Sequence, residues 1–111
     1  MQRDYRLYVD DIIDAIRKID KYVKGLSFDD FKENDMVVDA VVRNLGIIGE
    51  AVKNIPDDIK TKHPDIKWKK IAGLRDIITH GYFGIDLKIL WDIIENKVPE
   101  LKDNIHKIKD S

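Results

Sequence analysis

The sequence predicts an all-α protein, an antiparallel bundle of four to five helices. Apolar residues recur at three- and four-residue steps along most of the chain, and no segment shows the two-residue alternation of a half-buried strand. With 111 residues the chain is expected to be one domain, residues 1–111, whose core is modest. Association with a second copy would therefore help its stability.

The first helix is predicted from Tyr5 to Val23. Its apolar residues fall on one face and charged residues lie between them, which is the pattern of a surface helix of a bundle. Gly25 follows as a natural helix stop. Ser27 and Asp29 then open a short turn.

The second helix is predicted to begin at Asp35, which can act as its cap, and to end before Pro56. It is nearly continuously apolar. Gly46 and Gly49 lie inside it, where each costs roughly 1 kcal/mol relative to alanine. A packing reason should offset that cost, and we expect another backbone to approach closely there.

The remaining chain predicts two further helices. Residues 56–67 are interpreted as a connection with one irregular turn, and the third helix begins between Asp65 and Trp68. Asp86 caps the fourth helix. Pro99 lacks a backbone donor and should kink or restart that helix, which then continues to the end of the chain.

Composition excludes several classes of protein. The chain has no cysteine, so disulfides, thiolate catalysis and sulfur-ligated zinc are excluded. His63 and His106 have no neighbours at metal-ligand spacing, and no metal or other cofactor is expected. The first residues lack the apolar run of a signal peptide, and no stretch approaches a membrane span, so a cytoplasmic protein is expected. Trp68 and Trp91 are interpreted as core or interface anchors.

The net charge of −1 counts against a protein that coats nucleic acid. The segment 60–75 is nonetheless basic, because Asp65 is its one acidic residue. Its basic run is either a solvated face or a guide for phosphates, and salt dependence of RNA binding would separate these two interpretations. Its cations are Lys60, Lys62, Lys67, Lys69, Lys70 and Arg75.

The third helix carries a cluster of reactive side chains between residues 75 and 82. An arginine offers a planar fork that matches a phosphate, and a histidine can take and give a proton near neutral pH. At about 100° per residue the polar groups form one arc, and Leu74, Ile77 and Ile78 face elsewhere, toward the core. That arc consists of Arg75, Asp76, Thr79, His80 and Tyr82.

The spacing of Arg75, His80 and Tyr82 resembles the signature of the HEPN superfamily, and specifically of its HepT-like toxins. The resemblance extends to the segments 42–51 and 68–74, and in total it covers most of residues 5–110. Gly81 departs from the pattern, since a helix former is expected there. The resemblance implies a metal-independent ribonuclease in which Arg75 stabilises the transition state and His80 transfers protons.

Two further expectations concern partners. Metal-free RNA cleavage needs a base, an acid and a cation, yet one chain offers one plausible histidine, so we expect a two-fold homodimer that pairs two such arcs in one cleft. The resemblance implies the same assembly, because HEPN ribonucleases are dimers of this kind. The resemblance also implies a nucleotidyltransferase antitoxin that attaches AMP to Tyr82, adding bulk and negative charge that block the cleft. Thr79 and Tyr82 would also contact the RNA substrate.

Each side chain has a structural alternative. Arg75 and His80 could merely form ion pairs, with Asp76, Asp86 or Glu50 as partners of the arginine. Asp76 either orients His80 or stabilises its own helix. Tyr82 could be a partly buried aromatic.

Arg43 and Glu50 lie seven residues apart on one face of the second helix. They either flank the cleft together with Lys69 and Lys70, brace Arg75, or form ordinary surface or interhelical salt bridges.

Two rival functions remain open at this point. In one, the chain is a non-catalytic helical subunit that docks a nucleotidyltransferase. In the other, it is a dimerising module whose polar arc binds nucleotide or RNA without cutting. RNA cleavage in EDTA, compared between the parent, Arg75→Ala and His80→Ala, separates these functions.

Overall fold

The chain folds into helices that pack their apolar faces against one another. The computed structural model describes residues 4–80 and 86–109, and for residues 77–80 and 109 it describes the backbone but not the side chains. Within those residues it contains helices and no strand, which confirms the predicted all-α class. None of the helices in this described part is long and apolar enough to cross a membrane.

The described helices are, in chain order, α1 (Tyr5–Val23), α2 (Phe28–Lys32), α3 (Asp35–Asn54), α4 (Asp57–Lys62), α5 (Trp68–His80), α6 (Leu87–Asp92), a π-helical segment (Ile93–Lys97) and α7 (Val98–Lys109). The four long predicted helices are present. Two short helices, α2 and α4, were not predicted as helices.

The bounds of α1 are those that the sequence predicts. Asp4 caps its start by accepting a hydrogen bond from the backbone N–H of Arg6 at 2.9 Å. Gly25 lies two residues beyond its end with a φ of 78°, a left-handed conformation that glycine adopts without steric cost. The predicted helix stop is therefore confirmed.

The turn predicted at Ser27 and Asp29 is a five-residue helix, α2. The Ser27 side chain accepts from the backbone N–H of Asp30, and the Asp30 carboxylate accepts from that of Ser27, so both residues cap the helix. Phe31 is fully buried and its ring lies 5.1 Å from that of Trp91. The reciprocal cap and the buried Phe31 ring both stabilise this short helix.

The cap of α3 is Asn34, and the prediction of Asp35 was wrong by one residue. The Asn34 side-chain oxygen accepts from the backbone N–H of Val37 at 3.2 Å. Asp35 occupies the first turn instead, where its negative charge interacts favourably with the helix dipole. At the other end the chain becomes extended at Ile55, immediately before Pro56, as predicted.

The segment predicted as a connection with one irregular turn contains a six-residue helix, α4. Its two acidic residues, Asp57 and Asp58, lie in the first turn and its lysines in the last, which suits the helix dipole. After α4, Trp68 fixes the chain where α5 begins. Its indole Nε1 donates to the backbone carbonyls of Lys60 at 3.2 Å and His63 at 3.0 Å.

The last part of the chain follows the predicted order. Asp86 caps α6, accepting from the backbone N–H of Lys88 at 2.8 Å. A π-helical segment then precedes Pro99, and its wider turn is marked by the Val98 N–H, which bonds the Ile93 carbonyl five residues back. The helix therefore restarts at Val98, as the proline predicts.

Helix α3 is the central element, because it packs against α1 on one side and α5 on the other. Buried residues of α1, α3, α6 and α7 form most of the core, whereas α5 contributes half-buried residues such as Ile71 and Leu74. The described side chains of α5 therefore lie at the edge of the core, and α3 supports this helix.

Candidate functional site

Arg75 lies on α5 and forms an ion pair with Glu50 of α3. The closest atoms, Arg75 Nε and Glu50 Oε2, are 2.7 Å apart. The arginine side chain is 45% exposed and the glutamate side chain 50% exposed, so solvent reaches both groups. Ion pairs of this exposure stabilise a fold by about 0–1 kcal/mol, and this one therefore contributes little to folding.

The two helices are in backbone contact at the same place. A Cβ atom built on Gly49 would lie 3.0 Å from the backbone nitrogen of Arg75, 3.1 Å from its Cβ and 3.4 Å from the carbonyl oxygen of Ile71. The close backbone approach predicted for this glycine is confirmed. Gly46 has no such neighbour, since nothing described lies within 4 Å of a Cβ atom built there, and the prediction was wrong for this glycine.

This difference between the two glycines gives a stability prediction. Alanine at Gly46 should raise the free energy of unfolding by about 0.5–1 kcal/mol, because it restores helix propensity at an open position. Alanine at Gly49 should yield less or none of this gain, since α5 must shift by a few tenths of an ångström. Urea unfolding at one protein concentration measures both, and equal stabilisation by the two variants would contradict the described packing.

The faces predicted for α5 agree with the structure as far as its side chains are described. Leu74 is half-buried against the core, whereas Arg75 and Asp76 are exposed. Asp76 forms no ion pair with the described residues, and Asp86 is used as the cap of α6. Of the three carboxylates considered from the sequence, Glu50 is thus the partner of Arg75.

Several predicted site residues cannot be placed by their side chains. The backbone of α5 is described as far as His80, so Thr79 and His80 lie on the same helix as Arg75, but their side chains are not described. Gly81 and Tyr82 lie outside the described residues altogether. The predicted roles of these residues remain predictions.

Arg43, Lys69 and Lys70 are exposed. Arg43 forms no ion pair within the described part of the chain, so it does not brace Arg75 as Glu50 does. Lys69 and Lys70 lie one to two turns before Arg75 on α5 and line an open groove between α4 and α5. That groove is bordered by Asp57, Lys60, Thr61, Lys67, Trp68, Lys69, Lys70 and Ala72, and four of these eight residues are lysines.

A second groove lies between α5 and the π-helical segment with α7. Its surface is mainly apolar, with Ile71, Leu74 and Leu101 among the lining residues, and neither Arg75 nor Glu50 borders it. We therefore do not assign it to the reacting groups. Among the described residues, no three histidine, aspartate or glutamate side chains are grouped so that they could hold a metal ion.

Comparison with known proteins identifies the family. A family model described as "Ribonuclease HepT-like" matches residues 12–108. A protein of Thermococcus cleftensis named "Probable ribonuclease HepT" is 40% identical over 109 residues, which are 98% of this chain and 99% of that protein. A protein of Caldanaerobacter subterraneus subsp. tengcongensis, whose name provisionally assigns it as an RNase, is 42% identical over 93% of this chain and 92% of its own.

A longer protein of Methanocaldococcus jannaschii, whose name combines a gamma-glutamylcyclotransferase with a provisionally assigned RNase, is 40% identical over 97% of this chain and 49% of its own length. No solved structure gave a significant match. The family match covers most of the helical bundle and includes the segment from Arg75 to Tyr82. The chain belongs to the HepT-like ribonuclease family.

Proposed function

We propose that this protein is a metal-independent endoribonuclease whose active site forms in the cleft of a homodimer. The observation that carries the proposal is the position of Arg75. Its side chain is half-exposed on α5, five residues before His80, in a chain of the HepT-like family. A partly solvated arginine held by a neighbouring helix is available to a phosphate, whereas a buried one is not.

The proposed reaction uses the ribose 2'-hydroxyl as the nucleophile. An imidazole accepts the proton of that hydroxyl, the 2'-oxygen bonds to phosphorus, and the bond from phosphorus to the 5'-oxygen breaks. A second imidazole gives the departing 5'-oxygen its proton. Arg75 stabilises the negative charge that accumulates on the phosphoryl oxygens. The products are a 2',3'-cyclic phosphate and a free 5'-hydroxyl.

The homodimer supplies what one chain lacks. Each protomer has His80 as its one imidazole near Arg75 in sequence, so base and acid would come from two copies. A two-fold axis that pairs the polar arcs of two copies would place two imidazoles and two guanidiniums in one cleft. Asp76 would orient His80, and Thr79 and Tyr82 would contact the substrate.

RNA would reach the cleft along the lysine-lined groove between α4 and α5. Lys69 and Lys70 precede Arg75 by six and five residues, or roughly 8 to 9 Å along the helix. Lysine side chains there can neutralise the phosphates next to the scissile one. The indole of Trp68 is fixed by two carbonyl groups and borders the same groove.

This path gives a binding prediction. The double variant Lys69→Ala, Lys70→Ala should weaken RNA binding uniformly across sequences, because both side chains would contact phosphates and not bases. The slope of log K against log salt concentration should fall by about 1.4, which is about 0.7 for each lost contact to single-stranded RNA. Fluorescence anisotropy with a labelled RNA measures the slope, and Lys21→Ala, Lys24→Ala is the matched control at the end of α1. An equal change in the control would contradict the assignment.

We also propose that the protein is the toxin of a toxin–antitoxin pair and acts on RNA in the cytoplasm. Its antitoxin would be a nucleotidyltransferase that attaches AMP to Tyr82. The resemblance of the segment 75–82 to HepT-like toxins supports this regulation, and the position of Tyr82, seven residues after Arg75, provides its physical basis. A phosphate on that phenol would compete with RNA for the same guanidinium.

The test of the proposed function is cleavage by the purified protein in EDTA. We expect it to cut single-stranded RNA, to leave 2',3'-cyclic phosphate ends, and to sediment as a dimer. A protein that cuts only after addition of a divalent metal ion would contradict metal independence, and a monomer that cuts would contradict the shared cleft. Failure to cut, combined with tight binding to a nucleotidyltransferase, would favour a non-catalytic docking subunit instead.

A further inference from the structure

We propose that Glu50 is a positioning residue for the reaction, and that Gly49 and Glu50 together hold the Arg75 side chain in one orientation. This inference rests on the proposed function and assigns a role within it. Glu50 would not touch the substrate. It would act through Arg75 by fixing the direction in which the guanidinium points.

Glu50 contacts the guanidinium of Arg75 on one side only. Glu50 Oε2 approaches Arg75 at Nε, 2.7 Å away. Nε is on the side of the guanidinium fork, so a carboxylate there leaves the edge between Nη1 and Nη2 for a second anion. A phosphate can bind that edge through two N–H groups. One arginine thus accommodates its positioning carboxylate and its substrate at the same time.

Helix α3 restricts the conformations of the Arg75 side chain. Arginine has a long side chain with many rotamers, and an unsupported guanidinium at a surface samples most of them. Gly49 lets α3 approach α5 so closely that a Cβ atom at position 49 would lie 3.0 Å from the Arg75 backbone nitrogen and 3.1 Å from its Cβ, and the next residue of α3 supplies the carboxylate. Both ends of the Arg75 side chain are therefore held by one short segment of α3.

The ion pair between Glu50 and Arg75 contributes little to the free energy of folding. A half-exposed ion pair stabilises the fold only slightly, so the geometry of Glu50 and Arg75 is not required to hold the bundle together. Its main physical effect is to reduce the freedom of one cation before substrate arrives. Preorganisation of a charge that meets a developing negative charge accelerates the chemical step, and misplacement by about 1 Å can cost on the order of 100-fold.

The experiment compares Glu50→Gln with the parent in RNA cleavage over a range of pH, with kcat and KM measured separately. We expect kcat to fall by about 10- to 100-fold at every pH. KM should stay equal or fall, because the variant removes a negative charge close to the RNA. Glu50→Asp keeps the charge on a shorter side chain and should recover part of the lost kcat.

Asp39→Asn is the matched control. Asp39 is an exposed carboxylate on α3, eleven residues before Glu50, and it forms no ion pair within the described chain. Its variant loses the same charge from the same helix and should keep the parent kcat. An equal fall of kcat in both variants would overturn the proposal, because the effect would then be one of general charge.

A measurement independent of activity follows the side chain itself. Relaxation of the Arg75 ¹⁵Nε nucleus, identified by its disappearance in Arg75→Lys, reports motion of the guanidinium on the picosecond to nanosecond timescale. We expect a restricted guanidinium in the parent and in Asp39→Asn, and a mobile one in Glu50→Gln. Equal mobility in parent and Glu50→Gln would overturn the positioning role, whether or not the protein cuts RNA.

The remaining outcomes are also decisive. A parent that does not cut RNA would refute the proposed function, while the relaxation data would still determine whether Glu50 holds Arg75. A rise of KM at constant kcat would make Glu50 a substrate contact and overturn the proposal. Loss of one limb of the pH profile, with Arg75 mobility unchanged, would make Glu50 a proton-transfer group and would likewise overturn it.

Discussion

Alanine at Arg75 is expected to slow RNA cleavage in EDTA by about 10²- to 10³-fold, which is the usual cost of losing one group that stabilises a transition-state charge. His80→Ala should slow it by about 10²- to 10⁴-fold, because the variant dimer loses both the imidazole that accepts the 2'-hydroxyl proton and the one that protonates the 5'-oxygen. Initial rates with a single-stranded RNA measure both effects. A variant of Arg75 that cuts at the parent rate would refute its role.

The matched control for this prediction is Arg17→Ala. Arg17 is an exposed arginine on α1 and forms an ion pair with Asp14, so its variant removes the same chemical group from the same kind of contact. Its cleavage rate should equal that of the parent. Because both ion pairs are exposed, Arg75→Ala and Arg17→Ala should each change the free energy of unfolding by about 1 kcal/mol or less. A large loss of stability in Arg75→Ala alone would mean that its slower cleavage results from a perturbed fold and not from loss of a catalytic group.

Alanine at Phe31 is expected to have the largest effect on stability, a loss of about 3–5 kcal/mol in the free energy of unfolding. Phe31 is fully buried, and its ring packs against Trp91 of α6. Removal of the ring leaves a cavity between α2 and α6 that neighbouring side chains fill only in part. Urea unfolding followed by circular dichroism measures the loss at one protein concentration, since a dimer gains stability with concentration.

The control for this core variant is Met36→Ala. Met36 is 83% exposed at the start of α3, and its truncation should change the free energy of unfolding by about 0.5 kcal/mol or less. A loss below about 1 kcal/mol in Phe31→Ala would contradict the described packing of α2. Phe31 is the one buried residue of α2, which is only five residues long, so the difference between the two variants tests how this helix packs.

The long helices were predictable because their signals are local. The apolar periodicity between Tyr5 and Val23 and the stop at Gly25 predict both ends of α1 correctly. Asp86 likewise marks the start of α6, and Pro99 lies where α7 begins. The short helices were missed for a physical reason. α2 and α4 have five and six residues, too few for periodicity to emerge, and they depend on caps and on tertiary contacts such as those of Phe31.

At the candidate site, the exposure of Arg75 was predictable from the sequence, but its ion-pair partner was not. Sequence spacing placed Arg75 on an exposed face and gave Asp76, Asp86 and Glu50 as possible partners. The choice among these depends on how closely α3 and α5 approach, which depends in turn on Gly49. Two glycines three residues apart have the same local propensity, so only the packing of a distant helix distinguishes Gly49 from Gly46.

The half-exposed ion pair between Glu50 and Arg75 has a consequence for evolution. Because the pair adds so little to folding, a mutation of either residue should leave the bundle intact, and if the proposed roles of Arg75 and Glu50 hold, only selection for RNA cleavage would preserve the pair. A lineage released from that selection would drift toward a pseudoenzyme with the same helices and the same core. Family members that keep the architecture but have lost this pair are therefore expected to be inert scaffolds.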